Sequence, residues 1–135
     1  MVDADAGAFR QMLSNRKRQM NPGELLRWQW EGYPKYHAAK LNLLIHIVAV
    51  PGFLVGNLLL VLMLAEGQWG RAAGALLLMA VSFLAQGVGH AKETHPAEPF
   101  TSPLNAIGRI FLEQWVTFPR FVLTGGWGKA LRTIA

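Results

Sequence analysis

Two stretches of this chain carry no charged residue. Residues 41–65 are polar only at Asn42, His46 and Asn57, and residues 72–89 form a second uncharged run of 18. A helix needs about 20 apolar residues to cross the hydrocarbon core of a bilayer. The first run is therefore long enough to cross with tilt, and the second is near the lower limit. Only residues 66–71 lie between them, with Gly67, Gly70 and an interfacial Trp69. So short a link predicts an antiparallel hairpin, with the start of span one and the end of span two at the same face. Pro51 offers no amide to the carbonyl of Ile47, which predicts a kink just after His46. Gly52 with Gly56, Gly70 with Gly74, and Ala85 with Gly89 repeat a small-residue spacing that lets helices approach closely. Packing within the hairpin and homo-oligomer formation use that spacing equally well.

The flanks read differently. Residues 1–20 are polar and then basic at Arg16, Lys17 and Arg18. Phe9, Met12 and Leu13 share a helical face, so this arm is either a short amphipathic helix or a solvated tail. No apolar run follows it directly, which argues against a secretory signal peptide. Asn21, Pro22 and Glu24 form a helix start, and the helix is expected over 22–32. Trp28, Trp30, Tyr33 and Tyr36 suit a membrane interface. Pro96, Pro99 and Pro103 mark a connector. Residues 104–123 are apolar and aromatic but carry Arg109, Glu113 and Arg120, with Pro119 interrupting. That pattern predicts an amphipathic helix lying in the interface or packed on the hairpin, with an Arg109–Glu113 pair one turn apart. The glycines at 125, 126 and 128 predict a helix stop and a short basic tail. The expected architecture is all-α: one membrane domain over 1–135, an integral membrane hairpin of two spans with flanking interfacial amphipathic helices.

Composition supports this. Hydrophobic residues make up 52% of the chain and charged residues 16%, below the roughly 25% charged of soluble domains. The net charge of +5 has no nucleic-acid motif or interleaved aromatic pattern behind it, so a nucleic-acid partner is not expected. Seven Lys and Arg precede residue 41, five follow residue 89, and the hairpin turn has only Arg71. The positive-inside rule then places both termini in the cytoplasm. With no cysteine, disulfides and thiolate ligands are excluded.

The chemistry lies in four histidines. His37 and His46 flank the start of span one; His90 and His95 flank the end of span two. A histidine at a membrane segment is costly and points to function, and neutral imidazole is a common metal ligand. The hairpin brings all four to the cytoplasmic face, where His37, His46, His90 and His95 are candidate ligands. A nitrogen-rich set with a carboxylate suits iron, zinc, copper or nickel. Glu93 shares a helical face with His90 and is a candidate ligand, orienting partner or base; Asn42 shares a face with His46. His37 and His46 lie nine residues apart, about half a turn out of phase and roughly 13 Å along an unbroken helix. A shared ion needs a chain break near 38–41. Otherwise there are two ions, or only one of the pair is a ligand.

The spacing His37, Asn42, His46, Pro51, followed by Gln86, Gly89, His90, Glu93, Pro96 and Ala97, resembles the small membrane proteins related to the fungal 2-hydroxy fatty acid dioxygenase of fatty acid alpha-oxidation. The resemblance covers roughly residues 28–124. Glu98, Pro99 and Phe100, and the run 111–115, are similar to a bacterial branch. The resemblance implies an Fe(2+)-dependent integral membrane dioxygenase, which shortens long-chain 2-hydroxy fatty acids by one carbon with dioxygen. It implies a place in the bacterial inner membrane among membrane lipids. Its essential histidines map onto His37, His46 and His90, and less directly onto His95, with Glu93 and Asn42 as the catalytic side chains beside them. Two other classes compete: a non-catalytic membrane scaffold or lipid-binding protein, and a zinc-dependent lipid hydrolase with Glu93 as base.

Overall fold

The computed structural model describes Gly7 and residues 20–134; the expectations for the basic arm fall outside that range apart from Gly7. No strand forms among the described residues. Helix α1 (Pro22–Tyr36) opens on a capping box. The Asn21 side chain accepts from the Glu24 amide at 2.9 Å, and the Glu24 carboxylate accepts from the Asn21 amide at 3.0 Å. The helix runs past Gly32, where its sequence suggests an end, and through Pro34. Tertiary partners outweigh local propensity here: the Tyr33 hydroxyl donates to Glu113 and the Tyr36 hydroxyl to Glu98, each at 3.2 Å.

Helices α2 (Lys40–Ala65) and α3 (Trp69–His90) form the expected hairpin, and both are long and apolar enough to cross a membrane. The turn between them is only Glu66, Gly67 and Gln68. Gly67 has φ +67°, a left-handed conformation that a side chain disfavours. Helix α2 continues through Pro51. The small residues do what their spacing suggests on one face only. A Cβ on Gly52 would lie 2.8 Å from Ser82 Oγ, and one on Gly56 2.6 Å from Met79 Cγ and 3.2 Å from the Ala75 carbonyl. Gly89 packs against the Asn42 side chain, while Gly70 and Gly74 face open space. Gly56→Leu should therefore destabilise the hairpin by about 1–3 kcal/mol through overpacking. The same change at Gly74 should be nearly neutral. Unfolding of both variants in detergent checks the contrast.

Helix α4 (Pro103–Leu112) starts at Ser102, whose hydroxyl accepts from the Asn105 amide at 3.0 Å. It passes into a π-helical turn (Glu113–Thr117), where the Phe118 amide reaches back to the Glu113 carbonyl, and then into α5 (Phe118–Leu123). Pro119 sits in the first turn of α5, where its missing amide is tolerated. Residues 104–123 thus form a helix packed on the hairpin, with an irregular middle. The glycines after it turn the chain at Gly125, φ +81°, and start α6 (Gly126–Ile134), where the sequence suggests only a tail. Tyr33, Leu43, Val50, Phe118 and Phe121 form the core, and the Trp127 indole donates to the Leu43 carbonyl at 2.9 Å. The short helices therefore cover the end of the hairpin opposite Gly67. Elsewhere large apolar side chains face outward, as at Val48, 73% exposed, and Val61, 70% exposed.

Candidate metal centre

Three imidazoles meet at the covered end. The ring centroids of His37, His46 and His90 form a nearly equilateral triangle with sides of 4.8, 4.8 and 4.9 Å, each pair close to perpendicular. Glu113 Oε1 lies 3.3 Å from His37 Nε2, 3.7 Å from His46 Nε2 and 3.9 Å from His90 Nε2. One ligand atom from each of these four residues lies within 4.8 Å of every other.

The chain reaches this geometry by breaking where His37 and His46 require it. Helix α1 ends at Tyr36, His37 leaves helical geometry with φ −135° and ψ 59°, and α2 begins at Lys40 after an extended Ala39. The break lets His37 swing back onto the face that carries His46. Glu93 secures it. Its carboxylate accepts from the Ala38 amide at 3.0 and 3.2 Å, from the Ala39 amide at 3.0 Å to both oxygens, and from Asn42 Nδ2 at 2.7 Å. Asn42 also donates to the Tyr36 carbonyl at 3.2 Å. Glu93 thus supplies the anionic cap that Ala39 cannot give the start of α2, and Asn42 ties the cap to the end of α1. Neither belongs to the converging set of ligand atoms; of the roles open to Glu93, the hydrogen bonds are those of an orienting partner, and with Asn42 it holds the break. His95 is exposed in the loop after α3 and stands outside the cluster, so the ligand set expected of four histidines becomes three histidines and a glutamate.

The tautomers follow from the acceptors. His37 Nδ1 faces the Tyr33 carbonyl and His46 Nδ1 faces the Asn42 carbonyl, each at 3.0 Å. A carbonyl only accepts, so both Nδ1 atoms carry the proton and both Nε2 atoms present lone pairs. Those two Nε2 atoms are buried without a hydrogen bond of acceptable geometry. Burial pushes the His37 imidazole down from its ordinary value, against the opposite pull of Glu113. Lone pairs and an anion converging on one point make an arrangement suited to a cation. Metal bonds of about 2.0–2.2 Å put neighbouring ligand atoms roughly 3 to 3.5 Å apart, close to the 3.3–3.9 Å found around Glu113. The group fits a divalent ion that takes nitrogen and oxygen.

Glu113 is the candidate ligand that the sequence pattern does not reveal. Its four-residue spacing suggests Arg109 as partner, but Arg109 instead lies over the rings of Trp28 and Phe100, at 4.9 and 4.6 Å, and donates to the Pro99 carbonyl. The π turn aims Glu113 at the histidines, and buried amides hold the turn. Gln86 and Gln114 exchange reciprocal hydrogen bonds of 3.0 and 2.6 Å; Thr117 donates to Gln29 at 3.0 Å; Gln29 donates to the Arg109 carbonyl at 2.7 Å. Tyr33 stacks on His37 with centroids 3.7 Å apart while its hydroxyl donates to Glu113. Burial, then the Glu113 charge, raises that phenol well above its ordinary value, so it stays a donor. The available signal was Glu113 itself, a carboxylate in an apolar run next to Gln114.

Beside the cluster opens a cavity of about 630 Å³ bounded by α1, the end of α3, residues 97–100 and α4, with His37, His90 and Glu113 in its wall. Comparison of the chain with protein-family models, curated proteins and solved structures finds no match.

Proposed function

We propose that this protein is an iron(II)-dependent dioxygenase that shortens long-chain 2-hydroxy fatty acids by one carbon at a membrane surface. The observation that carries the reading is the His37–His46–His90–Glu113 cluster opening onto a cavity beside a hairpin able to cross a membrane. The choice of iron and of a 2-hydroxy acid comes from the sequence resemblance. In the overall change the C1–C2 bond breaks, C2 becomes the carboxyl of the shorter acid and C1 leaves as carbon dioxide. One atom of dioxygen enters the shorter acid and the other leaves as water.

His37, His46, His90 and Glu113 hold the metal. Iron(II), when bound, would supply a redox-active centre with coordination sites for dioxygen, while the four electrons of the overall change come from the 2-hydroxy acid. The Tyr33 and Asn42 carbonyls fix the rings of His37 and His46 and make them stronger donors. Tyr33 holds the Glu113 carboxylate by hydrogen bond and shields His37 by stacking. The cavity admits the head of an amphiphile whose tail remains in lipid. The Lys and Arg bias of the flanks over the hairpin turn supports a cytoplasmic cluster and termini, in a bacterial inner membrane.

Purified protein should contain close to one iron per chain. With iron(II) and air it should convert 2-hydroxypalmitate into pentadecanoic acid, with loss of turnover on chelation and none for palmitate. Zinc-loaded protein that hydrolyses lipid esters without oxygen would support a hydrolase instead. Metal-free protein of unchanged stability that never takes up iron would sink both.

A further inference from the structure

One wall of the cavity runs along α3. Phe83, Gly87 and His90 line it at positions i, i+4 and i+7, which puts them on one helical face over about 10 Å. Phe83 and Gly87 are exposed on a helix able to cross a membrane, whereas His90 belongs to the metal cluster. The cavity therefore leads from the side of the hairpin, at the depth of the apolar span, to Glu113. Arg109 stands in the same cavity. Its guanidinium is held between Trp28 and Phe100 and gives one hydrogen bond to the Pro99 carbonyl. A guanidinium has five N–H donors, so this hold fixes the group in place and leaves donors to spare. The other charged groups in the lining are Glu31, Lys35, Glu98 and Glu113. Glu98 accepts from Tyr36, and Glu113 faces the histidines.

We propose that Arg109 is the receptor for the carboxylate of a single-chain amphiphile, which enters sideways from the bilayer through the gap at Phe83 and Gly87. The proposal rests on the metal-centre reading above only in naming the reaction that follows; the binding stands on the cavity itself. Three glutamates against one lysine and one arginine leave the lining with one negative charge in excess. Such a lining favours a singly charged head over a phosphate monoester. Aromatic faces on both sides of the guanidinium suit a planar carboxylate bound edge-on. With the tail lying toward Phe83, the carbons next to the carboxylate come to rest beside His90 and Glu113.

The test measures equilibrium binding to the full chain in zwitterionic nanodiscs, by displacement of a fluorescent anthroyloxy palmitate. Competitors are palmitate, hexadecanol and hexadecyl phosphate, and every titration is run with chelator and again with iron(II). Palmitate should bind about 10- to 100-fold more tightly than hexadecanol, the worth of a charge-assisted hydrogen bond, and more tightly than hexadecyl phosphate. Arg109→Gln should erase the preference over hexadecanol, and Arg109→Lys should keep part of it. A Cβ on Gly87 meets nothing within 4 Å, so Gly87→Phe should fold, retain its iron, and weaken palmitate and hexadecanol alike by about tenfold or more. Equal binding of palmitate and hexadecanol, an Arg109→Gln variant with intact preference, a Gly87→Phe variant of unchanged affinity, or tighter binding of the phosphate overturns the proposal. If the preference holds with chelator present but iron never binds, the metal reading fails and the carboxylate site stands.

Discussion

Glu113→Gln should abolish metal binding and leave the metal-free protein folded. The wild-type site sets an ionised carboxylate 3.3–3.9 Å from three imidazole nitrogens, two of which are fixed as lone-pair donors by their backbone acceptors. Without a cation this arrangement is repulsive. An amide removes the anion and can donate to one of the lone pairs, so the apo variant should melt at or above the temperature of the apo wild type. The metal loses its only anionic ligand. Loss of a mere outer partner typically lowers metal affinity by about 10–100-fold, and loss of a direct ligand should exceed that range. Metal content after purification, a competitive titration with a chromophoric chelator, and melting with and without iron read the three effects. A variant that binds iron as tightly as wild type would show that Glu113 is not a ligand. A variant whose apo form fails to fold would show that the carboxylate is needed structurally, for example as the acceptor of Tyr33.

The second large effect belongs to Glu93→Ala. The carboxylate is the sole side-chain acceptor shown for the Ala38 and Ala39 amides and the main partner of Asn42. Hydrogen bonds to a charged group are each worth about 1.5–3 kcal/mol when buried; partial exposure of Glu93, which lets water replace the lost acceptor, brings the total well below their sum. We expect a loss of about 2–3 kcal/mol in stability on that basis. The freed 37–39 break should also lower metal affinity by about 10–100-fold, because His37 loses its fixed approach. Glu93→Gln retains one acceptor and should fall between. A catalytic base would behave otherwise: its removal would cut turnover and leave metal affinity and melting untouched. Both variants therefore discriminate positioning from proton transfer.

The legible parts of this structure are those that local spacing controls. Uncharged length and the short link announced the hairpin, and the Gly52–Gly56 spacing announced a close helix face. The phase conflict between His37 and His46 leaves a break near 38–41 as one of three resolutions, and the structure has a break at residues 37–39. The capping box at Asn21 was equally visible. What stayed hidden depends on contacts between distant segments. Glu113 turns away from Arg109 because a π turn shifts its direction, and hydrophobic periodicity does not register a single five-residue loop of hydrogen bonding. The Gln86–Gln114 pair and the Gln29–Thr117 contact join residues 28 and 88 apart in sequence; each looked like an ordinary polar residue in its own stretch. Glu93 resembled an active-site acid by proximity to His90. Its actual role depends on where α2 starts, which is a property of the folded hairpin.

The candidate ligands lie in segments that are made early and late in synthesis. A nascent chain that has completed both hairpin helices already carries His37, His46 and His90, yet the cluster has no carboxylate of its own until residue 113 emerges. Nor can the pairings of Gln86 with Gln114 and Tyr33 with Glu113 form before then. An ion bound by these four residues would fasten the C-terminal helices onto the hairpin, joining segments that are far apart in the sequence.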